Sequence, residues 1–182
     1  MILSNTEIHK AILSGEIVVD PFPDLKTNPY DATSINLRLG NTISTPQAGK
    51  PFTFDLRAGG LAPFLADVCE RRTIDDAGYT LHPHKFVLTN TKEYIKLPPH
   101  FAARVEGKSS FARCGLLVHF TAPTIHAGYE GRITLELINL GWYPITLYPD
   151  IKICQLIIER VEGEVDAITS QFQGQTLPEG IK

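Results

Sequence analysis

The sequence has few cysteines, no long apolar run and no excess of positive charge. Its three cysteines are odd in number and far apart, and they form no Cys-x-x-Cys pair. This argues against a disulfide framework and against a structural zinc site. No stretch reaches the roughly 18 apolar residues of a membrane-spanning helix, and the N-terminus lacks the basic and apolar regions of a signal peptide. We therefore expect a cytoplasmic protein without a membrane partner.

The charge balance and the composition narrow the class of protein. Lys and Arg total 17 against 20 Asp and Glu, a formal net charge of −3, which does not favour a nucleic-acid partner. A length of 182 residues predicts one domain, because domains average about 150 residues. The 14 Gly and 13 Pro residues together exceed their usual share, which favours a turn-rich β protein over a helical bundle.

One N-terminal segment has the pattern of a helix. Ser4 and Glu7 have the spacing of a capping box, and Leu3 and Ile8 have that of a hydrophobic staple. Gly15 predicts the C-terminal end of this helix.

Beyond residue 16 the apolar period changes from 3.6 to 2, as in β-strands. The segment Arg57–Gly78 has weak periodicity, and we expect a long loop with a short helix there. Many short strands with few helices predict an all-β sandwich or barrel. The predicted strands are Thr33–Leu39, Phe52–Leu56, Lys85–Thr91, Phe101–Glu106, Leu116–Thr121, Arg132–Leu140, Ile145–Tyr148 and Ile151–Val161.

A polar cluster, Gly107–Arg113, directly follows one of these strands. Lys108, Arg113 and the hydroxyls of Ser109 and Ser110 could bind an anion through charge-assisted hydrogen bonds. The cluster is not a Walker loop, because it lacks the GxxxxGK[ST] pattern. A polar turn with a solvated Lys and Arg is the alternative interpretation.

Glu136 is a lone carboxylate on the predicted strand Arg132–Leu140. Strand alternation puts Leu135 and Leu137 on one face, and Thr134 and Glu136 on the other. Burial would raise the pKa of Glu136 toward the range useful for proton transfer, and a neighbouring arginine would lower it again. The alternatives are an edge strand with Glu136 in water and a structural ion pair.

The histidines and the C-terminal segment allow more than one interpretation. His82 and His84 have the spacing of metal ligands, but no third ligand lies near in sequence, so a surface turn is favoured. His119 and His126 could be core or pocket residues. The polar segment 163–182 has no periodicity, and it is either frayed or ordered by docking.

Four blocks carry a further signal. The longest is GKSSFARCGLLVHFTAPTIHAGYEGRITLELINLG, at Gly107–Gly141. The others are ATSINLRLG at Ala32–Gly40, PITLYPDIKICQL at Pro144–Leu156 and QFQGQ at Gln171–Gln175. In their order along the chain, these blocks resemble the dCTP deaminases, which are close relatives of the trimeric dUTPases. The resemblance covers most of the chain.

The resemblance implies a fold, an assembly and a reaction. The fold is a dUTPase-like β-clip, a distorted β-barrel with a short N-terminal helix, in a homotrimer with active sites between subunits. The reaction is the hydrolysis of dCTP to dUTP and ammonia, with Mg²⁺ bound through the nucleotide triphosphate and without zinc. The family inhibitor dTTP is a further candidate ligand. The tail 163–182 is expected to close over the nucleotide.

The resemblance also assigns roles by position. Glu136 matches the catalytic acid–base, Ser109 and Arg113 match its helpers, and the backbone carbonyl of Ala122 matches a group facing the reacting end of the base. Lys108 and Ser110 match triphosphate contacts. The expected substrate-binding residues are Lys108, Ser110, His126, Thr134, Leu135, Gln155, Gln171 and Gln175.

Three positions depart from the family pattern. Asn36 and His126 stand where the family usually has Asp, and Gln171 stands where its tail often carries Lys. Because hydrolysis at phosphates usually needs an acidic residue to activate water, the departures at Asn36 and His126 favour a deaminase over a dUTP diphosphatase or a bifunctional enzyme. Those two, and a nucleotide-binding module of the same fold without activity, are the alternative functions.

Overall fold

The computed structural model describes residues 1–47, 49, 53–166 and 170–182. None of the helices in these ranges is long and apolar enough to cross a membrane. The helices are α1 (Asn5–Leu13), α2 (Leu61–Val68) and α3 (Ser109–Ala112), with 3₁₀ turns at Leu25–Thr27 and Leu56–Ala58. The strands are β1 (Val18–Asp20), β2 (Tyr30–Asp31), β3 (Ser34–Pro46), β4 (Cys69–Thr73), β5 (Tyr79–Leu81), β6 (Phe86–Lys96), β7 (Phe101–Gly107), β8 (Leu116–Leu117), β9 (Thr124–Ile125), β10 (Glu130–Asn139), β11 (Ile145–Leu147) and β12 (Lys152–Arg160).

Helix α1 confirms the predicted N-terminal helix. The side chain of Ser4 accepts the backbone N–H of Glu7 at 3.3 Å, which is the first half of the capping box. The Glu7 carboxylate instead accepts from Lys10 at 2.8 Å, so an ion pair replaces the reciprocal half. Ile8 and Ile12 are buried and fix the helix against the core.

Over the described residues, ten strands form one antiparallel sheet that curls into a half-barrel. Its main path runs β8-β10-β6-β3-β12-β7-β9, with β1, β2 and β4 paired at its margins, while β5 and β11 form a separate ribbon. Alternate side chains of the long strands fill a core in which Leu37, Leu135 and Leu156 are fully buried. The all-β, barrel-like prediction is confirmed.

The long strands lie where the sequence predicts them, but their ends differ. Strands β3, β6, β7, β10, β11 and β12 match predicted strands, and β3 and β6 extend to Pro46 and Lys96. The predicted strand Leu116–Thr121 is reduced to β8. The predicted strand Phe52–Leu56 is wrong over residues 53–56, and Phe52 lies outside the described residues. A 3₁₀ turn begins at Leu56 because the Asp55 carboxylate caps it.

The predicted loop Arg57–Gly78 contains helix α2, as expected, but it also contains β4. This strand pairs with β3 from Thr42 to Pro46. Its sequence, CERRT, lacks apolar alternation because all of its residues except Cys69 are exposed. Such a strand at the margin of a sheet has no hydrophobic signal in the sequence.

The C-terminal residues 170–182 dock onto the sheet of their own chain. The N–H of Gly174 donates to the carbonyl of Glu130 at 2.7 Å, and the Asn90 side chain donates to the carbonyl of Thr176 at 2.6 Å. Of the two outcomes left open by the sequence, docking is the one observed for these residues.

The docked tail is anchored by the buried carboxylate of Glu179, which forms an ion pair with the exposed Arg71 and a hydrogen bond with the buried Ser44. We call these three residues the tail clasp. Glu179 is only 2% exposed, and its carboxylate accepts from Ser44 Oγ at 2.6 Å and from Arg71 at 3.0 Å. Burial disfavours the charged carboxylate, but the hydrogen bonds from Arg71 and Ser44 outweigh it and hold the pKa of Glu179 below its usual value. The clasp therefore joins residues that are far apart in sequence.

The substitution Glu179→Gln should loosen the tail, because it keeps the side-chain size but removes the charge that pairs with Arg71. We expect the free energy of unfolding to fall by about 1.5–3 kcal/mol, the usual range for a hydrogen bond to a charged group. Thermal unfolding and limited proteolysis of the C-terminus measure the change. Glu164→Gln, at an exposed position outside the docked residues 170–182, is the control.

The same variant has a predicted pH dependence. Since the folded pKa of Glu179 is lower than the unfolded one, its stabilisation is fully present above the pKa of an ordinary glutamate and is lost as the pH falls through the folded pKa. The stability difference between wild type and variant should therefore narrow in acid. Equal stability and equal proteolysis at neutral pH would show that the clasp does not hold the tail.

Candidate active site

Residues 116–125, which we call the closing segment, join the two edges of the curled sheet. Strand β8 pairs with β10, and β9 pairs with β7, at opposite ends of the main path. Between them, the Val118 carbonyl accepts the N–H of Glu136 at 3.1 Å, and the Pro123 carbonyl accepts that of Val105 at 2.9 Å. The closing segment is thus tied to both edges by backbone hydrogen bonds.

Glu136 lies half-buried on β10, opposite the buried side chains of Leu135 and Leu137, which confirms the predicted alternation. Its Oε2 accepts the backbone N–H of Phe120, in the closing segment, at 3.0 Å. Strand β10 is paired on both sides, and no described residue forms an ion pair with Glu136. Neither alternative, an edge strand or a structural ion pair, is observed among the described residues of a single chain, and the catalytic role of Glu136 stays a prediction.

Apolar groups flank the Glu136 carboxylate. Its strand neighbour on β6 is Leu88, which is buried. The ring of Phe120 packs edge-to-face on Phe86 at 5.8 Å between centroids and keeps 47% of its surface exposed. The Phe120 N–H thus orients one carboxylate oxygen of Glu136, and the partly exposed ring of the same Phe120 packs on Phe86.

The turn after α3 packs tightly on the end of β10. A side chain at Gly141 would place its Cβ 2.2 Å from the Cys114 carbonyl oxygen, and Gly115 has a φ of +90°, so glycine is required at both positions. This contact brings Arg113 into a groove lined by Trp142 and Tyr143.

Arg113 is exposed, and among the described residues of one chain no hydrogen bond or ion pair joins it to Glu136. The sequence assigns Arg113 to the same site as Glu136, with active sites between subunits. Within a single chain the structure does not bring the two side chains into contact. Ser109, at the start of α3, is likewise exposed and not bonded to Glu136.

Lys108 lies at the N-terminal end of α3, directly after β7. Its ammonium group donates to Asp31 Oδ2 at 2.8 Å and to Asn36 Oδ1 at 2.5 Å. The alternative interpretation, a polar turn with a solvated Lys, does not apply to Lys108, because its side chain is only 22% exposed. Ser110, two residues later, is exposed.

Gln155 lies beside this group on β12. Its Nε2 donates to the carbonyl of Gly107 at 3.1 Å, and its Oε1 accepts from Ser34 Oγ at 2.9 Å. Gln155 is paired with Asn36 across the sheet. The structure therefore brings together two of the predicted binding residues, Lys108 and Gln155, at the end of β7.

Two further predicted binding residues, Gln175 in the tail and Thr134 on β10, lie where the tail contacts that strand. Gln175 is 6% exposed and donates to the carbonyl of Arg132 at 2.8 Å and to the hydroxyl of Tyr129 at 3.1 Å. Burial raises the pKa of Tyr129 to about 12, although the bond from Gln175 opposes the rise, so the phenol is neutral and can accept. Thr134 Oγ1 donates to the carbonyl of Pro178 at 3.3 Å.

Other predicted residues differ in how far they can reach a ligand. The side chain of Leu135 is fully buried in the core of this chain, and its expected contact with a base or sugar stays a prediction. Ala122, in the closing segment, is exposed, as are His126 and Gln171. The exposure of His126 removes the core interpretation for that residue.

No group of three or more His, Cys, Asp or Glu side chains in the described ranges could hold a metal ion. His82 and His84 are exposed, and His84 lies in a turn, in agreement with the surface-turn interpretation. All three cysteines are free, and burial raises the pKa of the Cys154 thiol.

Three contacts were not predicted from the sequence. They are the Asp31 carboxylate on Lys108, the Phe120 N–H on Glu136 and the Glu179 clasp. Asp31 directly precedes the first block of the resemblance, and only that proximity could have indicated a role. The other two contacts depend on where a loop and a tail return to the sheet, which leaves no periodic signal.

A comparison with solved structures identifies the fold. The crystal structure of 2′-deoxycytidine 5′-triphosphate deaminase from Agrobacterium tumefaciens superposes with a TM-score of 0.68 at 20% identity, over 88% of this chain. The match spans 47% of the length of that chain. At this identity the similarity establishes that the chain shares the fold of that deaminase, and it establishes nothing about residues.

Sequence comparison defines the family. The family model described as dCTP deaminase-like matches residues 2–161. A protein from Methanobrevibacter smithii named "dCTP deaminase, dUMP-forming" is 36% identical over 87% of this chain and 79% of its own. One from Haloarcula marismortui named "dCTP deaminase" is 36% identical over 100% of this chain and 94% of its own. The chain belongs to the dCTP deaminase-like family.

Proposed function

We propose that the protein deaminates dCTP hydrolytically, with Glu136 as the general acid–base. One observation carries the proposal: in a chain of this family, Glu136 is half-buried and its carboxylate is oriented by the Phe120 N–H without an ion-pair partner among the described residues. Such a carboxylate is free to exchange protons with a ligand on its open side.

In the proposed reaction one water and one dCTP yield dUTP and ammonia. Water has a pKa near 15.7 and needs a base to attack C4 of cytosine. Glu136 takes a proton from this water, and protons then pass to the ring and to the amino group. The C4–O bond forms, the C4–N bond breaks, and the amine leaves as ammonia. The Ala122 carbonyl and Ser109 position the water and the amino group.

The triphosphate is proposed to lie at the end of β7. Lys108, Ser110 and the start of α3 offer an ammonium, a hydroxyl and backbone N–H groups for phosphate oxygens. Magnesium enters with the nucleotide in this proposal, because the described residues offer no carboxylate cluster and Mg²⁺ is commonly bound through substrate phosphates. Since dTTP shares the triphosphate and the sugar, it is a candidate competitor.

The assembly is proposed to be a homotrimer in which a site takes groups from two subunits. Within one chain Glu136 and Arg113 are not joined, and Arg113 lies beside Trp142 and Tyr143, which are 89% and 81% exposed. Exposed apolar patches of this kind favour contact with another protein surface. The tail 163–182 is proposed to cover the nucleotide, and the free cysteines favour a cytoplasmic location.

The substitution Glu136→Gln is expected to lower kcat by about 10²–10⁴-fold, the usual contribution of a general acid–base, while nucleotide binding is retained. Ammonia release from dCTP and calorimetric binding measure the two properties. Glu130→Gln is the control, because Glu130 is half-buried on the same strand and pairs with Lys96. A wild-type protein that binds dCTP without releasing ammonia would leave the non-catalytic module as the function.

The substitution Trp142→Ser is expected to weaken the trimer and lower turnover with it. Loss of a central interface tryptophan typically costs about 2 kcal/mol or more in association. Light scattering after size-exclusion chromatography measures the assembly. Leu56→Ser, at an apolar side chain that is 84% exposed outside this groove, is the control. A Trp142→Ser protein with unchanged mass and activity would count against this interface.

A second candidate function is a further hydrolysis of dUTP to dUMP and pyrophosphate. It is favoured by the names of seven relatives of 34–39% identity, among them the Methanobrevibacter protein, that are called "dCTP deaminase, dUMP-forming", whereas the Haloarcula relative is called "dCTP deaminase" alone. The exposed His126 and the Asn36 bonded to Lys108 offer no carboxylate at two positions where the resemblance leads us to expect Asp. We therefore propose dUTP as the product released.

The ratio of pyrophosphate to ammonia decides between the two products. We expect dCTP to yield ammonia and dUTP with little pyrophosphate, because activation of water at the α-phosphate needs a positioned general base such as a carboxylate. Chromatography of the nucleotides together with a pyrophosphate assay measures the ratio. Added dUTP serves as the control substrate. Equimolar pyrophosphate and ammonia would establish the bifunctional reaction instead.

A further inference from the structure

We propose that Asp31 is a built-in counter-ion of Lys108 that competes with an incoming phosphate for the ammonium group, and that it thereby lowers the affinity of the phosphate site. The inference rests on the proposed function for the identity of the ligand. It rests on the geometry around Lys108 for the role of Asp31.

The ammonium of Lys108 is engaged by two side chains of very different exposure. Asn36 is 7% exposed on β3, so its amide oxygen is a fixed acceptor at 2.5 Å. The Asp31 side chain is 48% exposed on the two-residue strand β2, with its carboxylate at 2.8 Å. The buried amide keeps the ammonium in place, and the exposed carboxylate is the partner that can leave.

Charge determines what this arrangement does. An ammonium has three donors, and two are already used within the chain. A phosphate oxygen that binds Lys108 must either share the ammonium group with Asp31 or take the place of the Asp31 carboxylate. When both anions contact the same ammonium group, they repel each other. Because an exposed ion pair is weak, Asp31 lowers phosphate affinity without blocking the site.

Asp31 also supplies the negative charge that is missing at position 36, where the sequence departs from the family pattern. Position 36 carries Asn where the resemblance leads one to expect Asp, yet the carboxylate of Asp31 lies on the same ammonium. The negative charge near Lys108 is thus present, but on a more exposed strand. A counter-ion in this position is easier to displace than one on buried β3.

The test measures binding of inorganic tripolyphosphate by calorimetry to the whole protein and to a double-mutant cycle of Asp31→Asn and Lys108→Gln. Asn at position 31 keeps an oxygen that can accept from Lys108, so the fold is retained. We expect Asp31→Asn to tighten tripolyphosphate binding about two- to fivefold, the range for an exposed ion pair. The KM for dCTP should fall by the same factor at unchanged kcat.

The controls separate this role from a general charge effect. Asp55→Asn removes an equally exposed carboxylate, 49% against 48%, that pairs with Arg57 instead. It should leave binding unchanged. In the Lys108→Gln background the effect of Asp31→Asn should shrink to that of Asp55→Asn. A merely structural role of Asp31 would not produce this coupling.

Each other result has a defined meaning. Weaker tripolyphosphate binding by Asp31→Asn would overturn the inference, because Asp31 would then hold Lys108 ready for phosphate. An equal gain in the Lys108→Gln background would overturn it as well, and so would no measurable binding by the wild type. Tighter tripolyphosphate binding without ammonia release from dCTP would support the counter-ion and reject the proposed reaction.

Discussion

The candidate site depends on the double attachment of the closing segment to the two edges of the curled sheet. The Val118 carbonyl ties it to β10 through the N–H of Glu136, and the Pro123 carbonyl ties it to β7 through that of Val105. Between these two bonds only a few residues are free, so the backbone at Phe120 has little choice of position. Its N–H is consequently aimed at the Glu136 carboxylate. Without this closure, β10 would expose an edge and Glu136 would lose its donor.

The sequence allowed the prediction of features that arise from local or periodic constraints. The capped helix at Ser4 and the inward face of β10 follow from spacing alone. The family resemblance then identified Glu136 and Lys108. Contacts between distant segments were not predictable: Ser44 and Glu179 are 135 positions apart, and their hydrogen bond depends on the tail crossing β3. Burial of Leu135 was predictable from the alternation of β10, which puts its side chain on the same apolar face as Leu137.

In the single chain, polar groups assigned to the nucleotide are already bonded to the protein itself. Lys108 bonds Asp31 and Asn36, Gln155 bonds the Gly107 carbonyl, and Gln175 bonds Tyr129. Buried polar groups need such partners, because an unpaired one costs about 1–3 kcal/mol. A ligand therefore gains only the difference between its own contacts and the internal contacts it replaces.

The replacement of internal contacts by ligand contacts differs between the two ends of the proposed site. At the phosphate end, the exposed Asp31 can give way to a ligand that carries several negative charges, so binding there is an exchange of one anion for another. At the reacting end, Glu136 keeps its backbone donor, and no side chain of the described residues competes for its second oxygen. The carboxylate is then available to water and base without first breaking an ion pair. In the proposed reaction, such a site would use its charged contacts to hold the triphosphate and would keep its acid–base group unpaired for the proton transfers.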